Sequence, residues 1–443
     1  MGNAVALKFY TLIVWLLTPA YLMRLWWRGR AEPRYRFGLR QRLGRYSARQ
    51  PAAGVVWVHA VSLGETLAAA ALIAALRVER PGMRLLLSHS TATGWTAGRK
   101  LLRPGDAQTW LPIDTPQATQ RFLNHWQPAV GVLMETEVWP NLMRAAAVKN
   151  LAMVLANARL SERSLRKAQR MRSLMQPAVA QLRLVLAQTE ADASRLREAG
   201  AGAGDGASEV QVSGNLKFDV TPNAALLAQG VAWRAALNRP VLLAAVTREG
   251  EEAMLLAAWK EAWSSGLLEP LLRPLLLIVP RHPQRFDEVA AMVAASGLRM
   301  ARRSAWGAMP TASALGADVW LGDSMGEMPL YYALSQVALL GGSFAPLGGQ
   351  NLIEAAACAC PVVMGPHTFN FAQAAELAEA AAAALRVPDM QAGVDAALAL
   401  IQSTPGDDRR ARAVQAALGF AAQHRGAAGR MAYAIAGFIR PEG

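Results

Sequence analysis

The sequence predicts an α/β protein of two doubly wound, Rossmann-like parallel-sheet domains in tandem, preceded by an apolar anchoring segment. Three observations lead there. The chain has 443 residues, about three times the usual single-domain length, so two cores are expected. From Val55 onward, short β-rich apolar runs alternate with longer amphipathic runs, the pattern of repeated βα units on a mostly parallel sheet. That alternation stops at the polar stretch Thr221-Pro222-Asn223 and then begins again, which divides the chain into 1–30, 31–220 and 221–443.

Composition narrows the class. With 53% hydrophobic and 18% charged residues the chain has ample core material, which excludes disorder as its main state. A mean hydropathy of only +0.16 excludes a protein with many membrane spans. The +14 surplus is local: residues 24–49 hold nine arginines against Glu32, and residues 159–172 hold five arginines and Lys167 against Glu162. Trp26, Trp27, Tyr35, Phe37 and Tyr46 lie among the arginines of the first cluster, but neither cluster shows a docking motif, so nucleic acid is not expected as a partner. Cys358 and Cys360 are too close for an ordinary disulfide and too few for a structural zinc site, which fits a reducing compartment and inert packing.

Taken in order, the elements begin with an apolar run over 9–23, interrupted by Thr11, Thr18 and Pro19 and closed by Leu25-Trp26-Trp27. At 15 residues it falls short of the roughly 20 that cross a bilayer. Arginines follow it and only Lys8 precedes it, the reverse of a signal peptide, so it reads as an uncleaved anchor whose cationic flank stays on the cytoplasmic side. Strands are predicted at 55–59, 85–88, 109–113, 130–134, 153–156, 184–187 and 210–212, with helices such as 66–78, 116–126 and 164–182 between them. The second set has strands at 241–245, 275–279, 318–321, 337–340 and 361–364, with helices such as 250–263, 286–295 and 352–359. Two such sheets are expected to leave a cleft at their carboxyl ends, where ligands bind in these folds. The glycine-rich run 199–206 follows a helix and reads as a flexible loop, not a phosphate motif.

The chemistry-bearing motifs fall at strand ends. His59-Ala60-Val61-Ser62-Leu63-Gly64-Glu65 delivers a carboxylate, yet Ser62 and Glu65 also have capping-box spacing, and spacing alone leaves base and cap even. Glu135 and Glu137 would share a face if their strand continued, with helix capping by one of them as the plainer use. Lys217 in Ser213-Gly214-Asn215-Leu216-Lys217-Phe218-Asp219 stands at the last strand of the first half, either a solvated charge or a phosphate contact. In the second half, Pro280-Arg281-His282-Pro283 holds an Arg and a His rigidly for anion binding. Gly322-Asp323-Ser324-Met325-Gly326-Glu327 ends another strand, with a Ser324 to Glu327 capping box as its plain reading. The glycine-rich segment 341–351 opens the helix bearing Glu354, and its bare N–H groups are expected to form an anion site. It matches neither the dinucleotide fingerprint nor the P-loop, which disfavours NAD and ATP enzymes.

HAVSLGE, METEVWPN, ANARLS, GNLKFD, EGEE, VPRHPQRF, GDSMGE, GGSFAPLGGQN and MGPHTFNF, in that order, together with the anchor and Arg28-Gly29-Arg30, give a chain that resembles the 3-deoxy-D-manno-octulosonic acid (Kdo) transferases of lipid A assembly over almost its whole length. The resemblance implies a membrane-associated glycosyltransferase of the B type at the cytoplasmic face of the inner membrane. Its N-terminal domain would bind the acceptor and its C-terminal domain the CMP-sugar. The implied reaction moves Kdo from CMP-Kdo to a sugar hydroxyl of tetraacylated lipid A precursor with inversion, without a cofactor or tightly bound metal. By the same resemblance Glu65 is the general base, Glu135 and Lys217 support the transition state, and Pro280, Arg281, Met325, Gly326, Glu327, Asn351, Leu352, Ile353 and Glu354 hold CMP. Two departures stand out: Val246-Thr247-Arg248 where the family usually has Ser-Thr-His, and Gln350 where it usually has His. Inverting transfer itself requires a base on the acceptor hydroxyl and positive charge on the departing phosphate, with Glu65 and Arg281 expected on opposite sides of the cleft. A lipid-linked transferase using a UDP-sugar, and a non-catalytic protein binding anionic lipid, are the competing readings.

Overall fold

The computed structural model describes residues 2–46, 54–203, 208–265, 273–402 and 407–439. The chain forms two compact units, Met1–Asp219 with Arg425–Gly443, and Val220–His424. The sequence placed 425–443 with the second domain, and the structure corrects this. The Asp219 carboxylate accepts the backbone N–H groups of Gly426 and Ala428 and so caps the helix Ala427–Ala436. Met431, Ala432 and Ile435 of that helix are fully buried in the same core as Ala69, Leu72 and Leu76 of helix Leu63–Glu79.

In the first unit the strands are β1 (Val56–His59), β2 (Leu85–His89), β3 (Ala107–Trp110), β4 (Val130–Met134), β5 (Ala152–Ala158), β6 (Leu184–Ala187) and β7 (Glu209–Val212). They form one parallel sheet in the order β3-β2-β1-β4-β5-β6-β7. Alternate residues point to opposite faces, so Val56 and Val58 enter one apolar core and Val55 and Trp57 the other, which is why the strand is a continuous apolar run. The second unit repeats the plan with β8 (Val241–Thr247), β9 (Leu275–Pro280), β10 (Met300–Arg302), β11 (Val319–Leu321), β12 (Val337–Leu340), β13 (Val362–Met364) and β14 (Ala384–Arg386), in the order β10-β11-β9-β8-β12-β13-β14. Sequence patterning missed β10 and β14, which are three-residue edge strands without a β-branched residue. The single helix expected over 164–182 is two, Glu162–Arg170 and Arg172–Val179, broken at Met171.

The N-terminal helix runs from Gly2 to Arg28, longer than the apolar run, and is long and apolar enough to cross a membrane by length and composition. Residues 204–206 of the glycine-rich run and Arg49 of the basic cluster lie outside the described residues. Cys358 and Cys360 are buried and form no disulfide.

Candidate active site

In an open parallel sheet, two neighbouring strands whose connections leave in opposite directions open a crevice at their carboxyl ends. In the first sheet those neighbours are β1 and β4. The chain leaves β1 through Ala60 and Val61 to Ser62, whose extended backbone and side chain cap helix Leu63–Glu79. Glu65 lies in the first turn. Its Oε2 accepts the Val61 N–H at 2.8 Å and its Oε1 accepts the Ser62 hydroxyl at 2.9 Å. The capping contact is therefore present, and it also aims the carboxylate back toward the switch point. Burial raises the Glu65 pKa against these two hydrogen bonds, so the group is held half-buried and more basic than a surface carboxylate.

Glu135 directly follows β4. The strand does not continue as the shared-face reading required: Glu135 adopts a left-handed φ of 58°, a conformation that costs a non-glycine residue on the order of 1 kcal/mol or more. Its carboxylate is buried and pairs with Arg159 Nε at 2.8 Å. Glu137, two residues on, accepts the Trp139 indole N–H at 2.9 Å. Burial and the nearby Glu65 carboxylate, with a smaller contribution from Glu135, push the Glu137 carboxyl up to about 7. The structure thus gathers Glu65, Glu135 and Glu137 into one coupled cluster at the first switch point.

Lys217 sits in the short turn Leu216–Phe218 after β7, at the far edge of the same sheet. Its backbone is set by Asn157, a buried residue with φ of 52° at a bulge in β5, whose Oδ1 accepts the Leu216 N–H at 3.0 Å. Gln188 links the two segments, donating to the Asn157 carbonyl and accepting from Asn215. Asn157 and Arg159 were missed as site residues, although both lie in the motif ANARLS.

The second switch point falls between β8 and β12. Val246 has φ of 60°, unusual for a β-branched residue, and its carbonyl lies so close to Gly341 that a Cβ there would stand 2.2 Å away. Only glycine fits at Gly341. The loop that follows is an anion cradle, but its anion is the protein's own. The fully buried Glu251 carboxylate accepts N–H groups from Gly342 at 2.7 Å, Arg248 at 2.9 Å, Phe344 at 3.0 Å and Ala345 at 3.2 Å. This corrects the expectation of bare amides for Gly342, Phe344 and Ala345, which are already taken within the protein. Asn370 adds a clamp, its Nδ2 donating to the Leu347 carbonyl and its N–H to that of Gly348. The two departures from the family pattern meet here, since Gln350 and Arg248 are both neighbours of Gly342.

Around this loop the nucleotide candidates have unlike settings. Arg281 follows Pro280 at the end of β9, next to β8; its side chain is exposed and has no hydrogen-bond or ion-pair partner among the described residues. Its neighbour Arg285 is instead buried against Glu252 at 2.7 Å and Glu288 at 3.0 Å, a structural pair. Met325 is exposed and Gly326 has φ of 84° with open space around it, so the backbone here is approachable. Glu327 is occupied: Arg303 grips it at 2.8 and 3.0 Å, and Ser324 and Tyr331 add hydrogen bonds. The Ser324 to Glu327 capping box is not formed, because Glu327 itself is the N-cap residue of helix Met328–Leu334. Asn351 caps the short helix Leu352–Ala357, and Leu352 and Ile353 are buried beneath it. The Glu354 carboxylate on that helix has no hydrogen-bond partner among the described residues, and burial raises its pKa.

Two units, each built on a seven-stranded parallel sheet with a switch point, have the fold of an α/β two-domain glycosyltransferase. Among solved structures, a glycosyltransferase from Rickettsia africae is similar with a TM-score of 0.53 at 13% identity, covering 88% of this chain and 99% of that one. The Anabaena protein HepE, solved with UDP, is similar with a TM-score of 0.52, covering 86% of this chain and 99% of that one. A family model described as 3-deoxy-D-manno-octulosonic-acid transferase matches residues 38–220. A Bordetella pertussis 3-deoxy-D-manno-octulosonic acid transferase is 48% identical over 97% of this chain and 98% of its own length, and one from Haemophilus influenzae is 34% identical over 82% of this chain and 83% of its own. The chain belongs to the 3-deoxy-D-manno-octulosonic acid transferase family.

Proposed function

We propose that the protein transfers Kdo from CMP-Kdo to a hydroxyl of tetraacylated lipid A precursor (lipid IVA), with inversion, in lipopolysaccharide synthesis at the cytoplasmic face of the inner membrane. The observation that carries this reading is a raised carboxylate, Glu65, at the first sheet's switch point in a chain 48% identical to a Kdo transferase. Glu65 takes the proton from the acceptor hydroxyl as the new bond forms to the anomeric carbon. The CMP phosphate leaves with the bonding electron pair, and Arg281 offsets its charge. Glu135 is an ion-paired anion beside the base and, with Lys217, supports the transition state; neither exchanges the proton. Pro280 and Arg281, Met325 to Glu327, and Asn351 to Glu354 hold CMP. In this division Glu354 is a hydrogen-bond acceptor for nucleotide hydroxyls, and Glu327 shapes its loop through Arg303.

Thermal-shift titration separates donors, because a ligand that binds only the folded state raises its melting point. CMP is expected to shift the protein and UDP to leave it unchanged; a shift by UDP alone would replace the donor assignment. In calorimetry, Arg281→Ala and Glu354→Ala should each weaken CMP by roughly tenfold to a hundredfold, the value of a charge-assisted hydrogen bond of about 1.5–3 kcal/mol. Parental affinity in both variants, with normal circular dichroism, would remove the nucleotide from this half.

The pH dependence follows from the carboxylate cluster. A base must be unprotonated, and both Glu65 and Glu137 hold their protons to higher pH than surface carboxylates do, Glu137 to about 7. Transfer is therefore expected to fall on the acid side at a higher pH than an ordinary surface carboxylate base would give, approaching about tenfold per pH unit once Glu65 is mainly protonated. Glu137, held up to about 7 by burial and by the Glu65 charge, takes its proton before Glu65 does, so Glu137→Gln should leave this acid limb in place. A limb that moves in Glu137→Gln would show that Glu137 shares the titration of the base.

Deleting residues 1–27 should release the protein from membranes in high salt while CMP binding persists, since the remaining arginines hold anionic lipid only through screenable charge. Sedimentation of the truncated chain with membranes at high salt would refute the anchor.

A further inference from the structure

The N-terminal helix has two unlike long faces. Tyr10 Oη donates to Asp114 Oδ2 at 3.0 Å, Thr11 Oγ1 to Asn141 Oδ1 at 3.1 Å, and Leu25 is buried with Tyr35. On the opposite side Val5, Phe9, Leu12, Leu16, Met23 and Trp27 recur at helical spacing, each more than half exposed. From Tyr10 to Leu25 the helix therefore lies along the first unit for about 22 Å. A helix crossing a bilayer would have to give up the contacts to Asp114 and Asn141. One held this way enters the membrane sideways, to the depth of its apolar stripe.

Beside its first turns lies a cavity of about 570 Å³, shared by Lys8 and, from the helix Pro140–Val148 and its end, Arg144 and Lys149. None of its lining residues is acidic, and none of these three cations has an ion-pair or hydrogen-bond partner among the described residues. Lys8 projects from the border between the docked face and the exposed stripe, while Leu7 and Val148 give the cavity an apolar wall. Three unneutralised cations converging on a concave site next to a membrane-facing stripe call for an anion tethered to hydrocarbon.

We infer that this cavity takes the phosphate of an anionic membrane phospholipid, with Lys8, Arg144 and Lys149 around the headgroup and the acyl chains running past Leu7 and Val148 toward Phe9 and Leu12. The inferred occupant is a second lipid beside the reacting acceptor. Glu135 and Glu137 precede the amino end of helix Pro140–Val148, whereas Lys149 follows its carboxyl end, about 13 Å along the axis. The site would fix the rotation of the N-terminal helix in the membrane plane, and it rests on the membrane-surface reading above.

The test uses the full chain in a nonionic detergent, titrated by calorimetry with dihexanoyl-phosphatidylglycerol and, separately, with dihexanoyl-phosphatidylcholine and lipid IVA. Phosphatidylglycerol is expected to bind, phosphatidylcholine to bind at least tenfold more weakly, and the triple variant Lys8→Gln, Arg144→Gln, Lys149→Gln to lose at least tenfold for phosphatidylglycerol with parental CMP affinity. Equal binding of the two phospholipids, an unaffected triple variant, or a loss confined to lipid IVA would each overturn the assignment. Kdo transfer by the parent chain, assayed in parallel, tells failure of this site apart from failure of the functional reading.

Discussion

Glu65→Gln is expected to fold normally, bind CMP with parental affinity and lose Kdo transfer by about a hundredfold or more, the usual range for removing a positioned base. The structure makes this variant informative because Glu65 has both candidate roles in one geometry. Its two carboxylate oxygens accept from the Val61 N–H and the Ser62 hydroxyl. A Gln amide keeps one acceptor for Val61, and the Ser62 hydroxyl can turn to accept from its NH₂, so the helix start survives. What Gln cannot do is take a proton. If Glu65 is only a cap, transfer persists and the melting temperature drops slightly, in line with a cost of about 1 kcal/mol or less. Near-parental transfer would pass the base role to Glu137, whose carboxyl already titrates near 7.

Glu251→Ala is expected to have the largest effect in the second unit. It deletes the one anion that binds four backbone N–H groups of the turn after β8 and the loop after β12. Each donor left unpaired costs about 1–3 kcal/mol, and because the contacts are not additive the destabilisation should be about 3 kcal/mol or more. The melting transition of this unit should fall markedly and CMP affinity with it, since the glycine-rich loop and Arg248 lose their common anchor. Glu251→Gln, which retains one acceptor oxygen and puts donors where the other stood, should lie between alanine and the parent. Parental melting and CMP binding in Glu251→Ala would show that the loop holds its shape without this carboxylate.

These two residues also mark what the sequence made legible. Strands 130–134, 184–187 and 337–340 are read to the residue, because both faces of a central parallel strand are buried and the apolar run ends where the strand does. Glu65 was legible as a strand-end carboxylate, but base and cap require the same spacing, so no pattern separates them. Glu251 was illegible as the loop's anchor for a different reason: it lies 93 residues from Phe344, and only the sheet order brings β8 beside β12. The physical logic of a glycine-rich anion cradle held, while the anion proved to be a side chain of the protein. The return of the chain to the first unit was likewise hidden, since Asp219 and the helix it caps are separated by the whole second unit. Glu135 shows the limit of periodicity in the other direction, for its strand-like context gives no sign of the left-handed turn that puts it against Arg159.

The most direct test of the central claim is mass spectrometry of lipid IVA after incubation with the full chain and CMP-Kdo. The expected result is lipid IVA heavier by whole Kdo residues, with CMP released in equal number and product lower by about a hundredfold or more from the Glu65→Gln protein over the same time. Unmodified lipid IVA with CMP-Kdo, together with a sugar adduct formed from a UDP-sugar, would contradict both the donor and the reaction assigned here.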